Sequence, residues 1–247
     1  MHKQNEHFDS INEIYKSHYY DEYALKYRRD YIYKPMFSGW DFNNCLAAEL
    51  ACGSGYNSRE FLSLFQGVEI EGYDISAKAC QDYLKLVHQP CHCIDLKSTK
   101  LPKEKYQLVF VIGGLHHCHD ELGFVLENVA RSLQKNGIFI MVEPNSRYIL
   151  ECLRMLWYLF DGYIDPNESS IDYFRLYTAG KKWFKQIKIR YMGGLAYFFI
   201  LNSLYFRLPF FIKKNCAPLL FKLEDLNGKL KINALFPVFI AHWQKKS

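Results

Sequence analysis

The sequence lacks several features that would have narrowed it at once. No Cys-x-x-Cys pair occurs among its eight cysteines, which removes the commonest zinc spacing. The apolar stretch Met192 to Phe206 is fifteen residues long, contains Asn202 and is bounded by Arg190 and Arg207. Crossing a bilayer takes about 20 apolar residues, so this stretch is too short to span one. The opening segment, Met1 to Ser10, is polar and charged, without the apolar core of a secretory leader. Irregular cysteine spacing without such a leader argues for free thiols in a reducing compartment rather than a disulfide framework, so a cytoplasmic location is expected. Repeats and low-complexity stretches are absent as well. Charged residues make up only 23% against 49% apolar, which argues against disorder.

What is present begins with size and an uneven charge. A chain of 247 residues can bury a full core, and its aromatic content of 17% is high. From Lys181 onward there are thirteen Lys or Arg against two acids, Glu224 and Asp225. The first 180 residues carry 18 bases and 24 acids. A basic segment on an acidic body suits an anionic partner such as a phosphate, a nucleotide, nucleic acid or a membrane surface, and it equally suits a solvated face with no partner.

Along the chain, Tyr20, Tyr23, Tyr27 and Tyr31 are spaced to line one side of a helix. The apolar run Cys45 to Leu50 meets the glycines Gly53 and Gly55, and a helix is expected over Ser58 to Phe65. Strands are expected at Val68 to Tyr73, around Cys91 to Ile94, at Tyr106 to Ile112 and at Ile138 to Val142. Helices are expected over Ala77 to Val87 and Asp120 to Leu133, with a turn at Lys135-Asn136-Gly137. Short apolar strands alternating with helices imply βαβ units and a parallel sheet covered on both faces. Ligands of such sheets sit beyond the carboxyl ends of the strands. Those ends carry Glu49 to Gly55, Asp74, Asp95, Gly113 to His117 and Glu143 to Asn145. Later, Thr178 is placed to cap a helix through Gln186, with strands near Ile187 to Met192 and Pro237 to Gln244. The forty or so residues between those strands are too many for a hairpin loop and read as an inserted, aromatic cap.

The segment Glu49-Leu50-Ala51-Cys52-Gly53-Ser54-Gly55 puts an acid at a strand end and glycines in the turn to a helix. Such glycines let backbone approach a ligand and present amides at a helix N-terminus. Asp74 ends the next strand, where a carboxylate can accept hydrogen bonds from both hydroxyls of a ribose. A nicotinamide dinucleotide would suit this much, but Ser58 stands where the Gly-x-Gly-x-x-Gly fingerprint needs its last glycine. An acid at position 49 would also repel a pyrophosphate.

The segment resembles motif I of class I S-adenosylmethionine-dependent methyltransferases, Asp/Glu-x-Gly-x-Gly-x-Gly, with Ala51 in place of the first glycine. Further matches follow in order: Asp74 after the second strand, Asp95 after the third, Leu115-His116-His117 like the Leu-x-His that follows the fourth, and Asn136-Gly137 before the fifth. The resemblance covers roughly residues 45 to 145, plus two late strands like the family's closing antiparallel pair. It implies a doubly wound, mostly parallel seven-stranded Rossmann-like α/β sheet with helices on both faces and an inserted aromatic cap. It further implies that S-adenosylmethionine is the cofactor. Glu49 would organise the loop near the cofactor's amino group, while Ala51, Cys52, Gly53 and Gly55 pass beneath its methionine and ribose. Asp74 would hold the ribose with Ile75 against the adenine, Asp95 would receive the adenine amino group beside Leu96, and Ile112 and Gly113 would complete the site.

The resulting domain plan has an N-terminal helical lid at 1–44, the α/β domain at 45–192, the cap at 193–236 and a final strand at 237–247. A sulfonium methyl is already electrophilic, so the protein mainly aligns donor and acceptor, and a hydroxyl or protonated amine also needs a base. His117 and His116 are the candidates for that base, His117 first. Weaker substrate-binding candidates are Tyr20, Tyr23, Arg28 and Glu143. Arg28 is also suited to a salt bridge with the cofactor's carboxylate, and the tyrosines equally suit packing of their helix. Cys91-His92-Cys93 and His116-His117-Cys118-His119 fall at adjacent strand ends. Strand alternation turns His92 away from the two cysteines, so no metal site is expected. The expected acceptor is a small or lipid-like molecule, methylated at oxygen. Alternatives are nucleic-acid methylation and a non-catalytic cofactor-binding partner protein. The first is disfavoured because Ile112-Gly113-Gly114-Leu115 stands where base-amino methyltransferases carry Asn/Asp-Pro-Pro-Tyr. The stretches Met192 to Phe206 and Tyr148 to Phe160, with the basic surplus nearby, suit either cap core or peripheral membrane contact.

Overall fold

A computed structural model describes residues 18–152, 154, 169–203, 206 and 208–246. The chain divides into two compact units, each assembled from separated segments. The α/β unit comprises Gly39–Pro144, Ser170–Arg190 and Ile240–Ser247. The helical unit comprises Met1–Ser38, Asn145–Ser169 and Tyr191–Phe239. The N-terminal segment and the late insert, expected as separate lid and cap, thus belong to one unit.

One sheet of seven strands runs in the order β3-β2-β1-β4-β5-β7-β6. Its parallel part is β1 (Leu46–Leu50), β2 (Glu69–Asp74), β3 (Cys91–Cys93), β4 (Tyr106–Ile112) and β5 (Leu133–Pro144). The sequence reason is apolar continuity: β4 reads Tyr-Gln-Leu-Val-Phe-Val-Ile, and only Gln107 of it is exposed. Strands covered on both faces need such runs. Strand order grows one way from β1 to β3 and the other way from β4 to β5. Right-handed crossovers then put α2 (Tyr56–Leu64) and α3 (Ala77–Val87) on one face and α4 (Leu122–Ser132) on the other. The reversal lies between β1 and β4, where open α/β sheets form their ligand crevice.

The last strands are β6 (Phe184–Met192) and β7 (Val238–Lys245). The start of β7 meets the end of β5, with the Asn145 N–H on the Pro237 carbonyl at 2.8 Å. The end of β7 meets the starts of β5 and β6. Gln244 Nε2 reaches the Asn136 carbonyl at 3.3 Å, and the Lys246 N–H reaches that of Trp183 at 2.9 Å. The strand is therefore antiparallel to both neighbours, and the sheet is mixed.

Local chemistry shifted some boundaries. α5 (Tyr173–Gly180) begins at Asp172, whose carboxylate accepts the Phe174 and Arg175 N–H groups, rather than at Thr178. A carboxylate at an N-cap is a strong start signal, and Thr178 lies inside the helix. Its last residue, Gly180, must be glycine, because a Cβ there would come within 2.5 Å of the buried Trp243 ring. The Lys135-Asn136-Gly137 turn became an excursion within β5: Tyr106 pairs with Leu133, yet Leu108 pairs with Ile138. Asn136 adopts φ 61° there.

In the helical unit, α1 (Glu22–Tyr27) is capped by Asp21 and continues through a π-helical stretch, Arg28–Tyr33, into Lys34–Phe37. The long helix α6 (Phe210–Asn227) follows later. The tyrosine stripe packs on α6: Tyr27 donates to Glu224 (2.8 Å), Tyr31 donates to Asp225 (2.7 Å), and the Tyr23 ring lies 5.8 Å from that of Phe210. Met192, Ala196, Ile200 and Leu201 of the fifteen-residue apolar run are buried. Of the second run, residues 153 and 155–160 lie outside the described residues. No helix among the described residues is long and apolar enough to cross a membrane.

Candidate active site

The turn after β1 is held from beneath by Glu49. Its carboxylate is fully buried, accepting from Asn57 Nδ2 at 2.8 Å and from the Ser58 hydroxyl, which in turn accepts from the Tyr83 hydroxyl at 2.9 Å. Burial pushes the Glu49 carboxyl up to about 7, against the opposing pull of the Ser58 and Asn57 hydrogen bonds. Asn57 and Ser58 sit in the first turn of α2, so this acid clamps the turn to the helix it feeds. Sequence reasoning missed all three partners. Asn57 and Ser58 were within reach as the first polar residues of the helix, whereas nothing local marks Tyr83.

Three residues of the turn adopt left-handed backbone: Ala51 (φ 50°), Gly53 (φ 53°) and Gly55 (φ 87°). A left-handed conformation strains any residue with a Cβ, so the missing first glycine of the motif costs backbone energy and not only room. Gly55 is required twice over, since a Cβ would also meet Val87 Cγ2 at 2.4 Å and Tyr83 Cδ2 at 2.7 Å. At Gly53 a Cβ would meet nothing within 4 Å. The chain there is open.

The Gly53 N–H donates to Asp74 Oδ2 and the Ser76 N–H to Oδ1, both at 2.8 Å. These bonds fix the carboxylate at the end of β2 and leave lone pairs for further donors. Burial raises the Asp74 carboxyl above its usual range, opposed by the same two amides. Ile75 beside it is half-buried. Asp95 follows β3, where its carboxylate accepts the Lys97 N–H at 2.9 Å and Leu96 is buried. The Cys52 and Cys91 sulfurs lie 3.6 Å apart beneath this edge, and burial pushes the Cys52 thiol up to about 12. Cys93 is exposed, and His92 instead stacks on Tyr73 with ring centroids 4.8 Å apart. Among the described residues no group of three or more His, Cys, Asp or Glu is arranged to hold a metal.

Beyond β4, Gly113 turns at φ 68° and is exposed, its notional Cβ meeting only His116 Cε1 at 3.9 Å. Ile112 before it is half-buried. The following 3-10 turn, Leu115–Glu121, starts over the buried carboxylate of Glu143. Glu143 Oε1 accepts the N–H groups of Gly114 (3.0 Å) and Leu115 (2.8 Å). Its Oε2 faces His116 Nδ1 at 2.8 Å. His116 is buried, whereas His117 is half-buried with its ring centroid 4.0 Å from that of His116. The structure thus joins Glu143 and His116 into a pair that no sequence spacing announced, and commits both Glu143 oxygens to that pair and its loop.

Tyr20, Tyr23 and Arg28 are placed within the helical unit. Arg28 is buried, donates from Nε to the Tyr19 carbonyl at 3.3 Å, and lies 5.0 Å from the Tyr20 ring centroid.

Residues 48–139 match a family described as "Methyltransferase domain". No curated protein matches the chain. Solved structures similar to it include phosphoethanolamine N-methyltransferase 2 of Haemonchus contortus, in complex with phosphomonomethylethanolamine and S-adenosylhomocysteine. That likeness has a TM-score of 0.61 at 16% identity and covers 87% of this chain and 51% of that one. An S-adenosylmethionine-dependent methyltransferase of Methanosarcina mazei aligns with a TM-score of 0.57 at 14% identity, over 84% of this chain and 94% of that one. One from Mesorhizobium loti aligns with a TM-score of 0.57 at 13% identity, over 83% and 93%.

Proposed function

From the premise that this chain is a class I S-adenosylmethionine-dependent methyltransferase, we propose that it methylates a small-molecule acceptor at oxygen, with His116 as the general base. The observation that carries the proposal is the Glu143–His116 pair. A carboxylate on Nδ1 holds the imidazole with its proton there and leaves Nε2 as the basic nitrogen, the same division of labour as in other oriented histidine bases. His117, half-buried on the same turn, is the more exposed of the two rings.

The residues present suit the cofactor. Asp74 keeps lone pairs for ribose hydroxyls, and Gly53 and Gly113 leave open backbone at two strand ends. Cys52 and Gly55 shape the turn between them, while Ile75, Leu96 and Ile112 supply apolar surface and Asp95 an acceptor for an amino group. S-adenosylmethionine, when bound, supplies an electrophilic methyl group. The chain's own task is then to align the acceptor and to remove its proton through His116. An amine acceptor is the second reading, favoured by the phosphomonomethylethanolamine held in the Haemonchus contortus enzyme. It too loses a proton, so the same base serves.

The cofactor half is tested by calorimetry. Parent protein should bind S-adenosylmethionine and S-adenosylhomocysteine, and Asp74→Ala should weaken both about tenfold or more, the equivalent of at least one charge-assisted hydrogen bond. Equal affinity in the variant overturns the assignment of Asp74. The acceptor half is tested with methyl-labelled cofactor against a panel of small hydroxyl and amine compounds. Label appearing only in nucleic acid, or His116→Ala transferring label as fast as the parent, overturns it.

A further inference from the structure

Helix α6 is turned inside out with respect to a helix of a water-facing surface. Lys213, Ala217 and Glu224 form its buried face. Lys213 donates to the His18 carbonyl (3.0 Å), to Ser203 Oγ (3.1 Å) and to Asp21. Glu224 accepts from Tyr27 and from the Gly194 (2.8 Å) and Ala196 (3.0 Å) N–H groups. The opposite face exposes large apolar side chains, Phe211 at 65%, Leu219 at 62% and Leu226 at 59%, with exposed Asn215 and Lys222 between them. The apolar spacings of eight and seven residues return to one side of a 3.6-residue helix. The chain beyond the helix continues the pattern, with Leu230 and Ile232 exposed between Lys229 and Lys231.

Buried charged side chains held by several hydrogen bonds fix a helix's rotation firmly, because turning it would leave them unpaired in the core. The outward display of Phe211, Leu219 and Leu226 is therefore imposed by the fold. Three large apolar side chains held outward along one side of a helix, with a lysine among them, suit an amphipathic contact surface. Charge identifies the partner. Lys214, Lys222, Lys229 and Lys231 are exposed around these side chains. Of the two acids of this segment, Glu224 is buried and Asp225 accepts from Tyr31. Nucleic acid would use the lysines but has no use for exposed Leu and Ile, whereas an anionic lipid surface takes both. The helix is too short and too charged to span, so it lies in the interface.

We propose that the outer face of α6, with the Lys229–Ile232 segment, docks the protein on anionic lipid membranes. This surface differs from the two apolar runs that sequence alone had suggested, and it stands whatever the methyl acceptor proves to be.

The test is flotation of the full chain with vesicles of phosphatidylcholine alone and of phosphatidylcholine mixed with phosphatidylglycerol. Parent protein should partition at least tenfold more strongly to the phosphatidylglycerol vesicles and should lose this with added salt. A Phe211→Ser/Leu219→Ser/Leu226→Ser variant should lose most of the binding. Each of Lys222→Gln, Lys229→Gln and Lys231→Gln should cost about fivefold. All substituted side chains are exposed, so thermal midpoint and S-adenosylmethionine affinity should be unchanged, and that is measured alongside. A Leu64→Ser/Leu84→Ser variant, altered at exposed leucines of the α/β unit, should bind vesicles like the parent. The proposal is overturned if the parent ignores phosphatidylglycerol, or if the triple serine variant binds as well as the parent. It is also overturned if light scattering finds this face closed in a dimer, or if RNA competes the protein off vesicles.

Discussion

Replacing Glu143 by Gln isolates the role of the carboxylate with almost no change of shape. In the parent, Glu143 Oε1 accepts from Gly114 at 3.0 Å and from Leu115 at 2.8 Å, and Oε2 meets His116 Nδ1 at 2.8 Å and accepts the His116 N–H at 3.4 Å. A glutamine can keep only one oxygen. Placing it toward Gly114 and Leu115 preserves two bonds, whereas the reverse setting presses an amide NH2 against both donors. The side-chain nitrogen therefore faces His116, giving up the long bond from the His116 N–H; Nδ1 must become the acceptor, and the imidazole proton moves to Nε2. The base is then blocked while the loop stays in place. The bonds to Gly114, Leu115 and His116 Nδ1 lose their charge assistance and the His116 N–H bond is lost, a net loss of about 2 kcal/mol. In a chain of this size that lowers the thermal midpoint by roughly 4–8 °C. Loss of a general base slows the reaction by about 10²- to 10⁴-fold. The assay is turnover of labelled S-adenosylmethionine with the best acceptor from the panel, alongside cofactor affinity by calorimetry and the imidazole tautomer by long-range proton–nitrogen NMR. Affinity should hold within about twofold. Turnover within threefold of the parent, with the tautomer shown to have moved, would refute the assignment of His116 as base.

Two further substitutions probe the turn after β1. Glu49 holds its proton up to about pH 7 in the folded protein, against an ordinary value of 4.5. That part of the stability is complete below about pH 4.5, is lost as pH rises to about 7, and amounts to about 3 kcal/mol. Urea unfolding across this window should show the loss in the parent but not in Glu49→Gln, and parallel curves would contradict it. Ala51→Gly should relieve the left-handed strain at φ 50° and, after the entropy that glycine adds to the unfolded chain, stabilise by about 0.5–1 kcal/mol. A lower thermal midpoint in that variant would mean that the Ala51 methyl packs better than its backbone suffers.

The sheet was legible because its cause is local and repetitive. Buried parallel strands must be continuous apolar runs, and Tyr106 to Ile112 and the helix Ala77 to Val87 occupy the bounds that pattern predicts. The acids and glycines of the candidate cofactor site were legible for a related reason. They fall at strand ends, and strand ends are readable wherever apolar runs stop. What side chains do across elements was not readable. Glu49 finds Ser58 and Tyr83, and Glu143 finds His116 twenty-seven residues away, only because parallel crossovers bring those strand ends and turns together. The helical unit was hidden for a different reason. Buried Lys213 and Glu224 invert the usual rule that charge faces water, so the apolar pattern of α6 could not say which face looks outward. Sequence by itself determined the sheet and the class of chemistry. Tertiary structure alone decided which histidine meets Glu143 and which apolar side chains are left to solvent, because both depend on hydrogen-bond partners far apart in the chain.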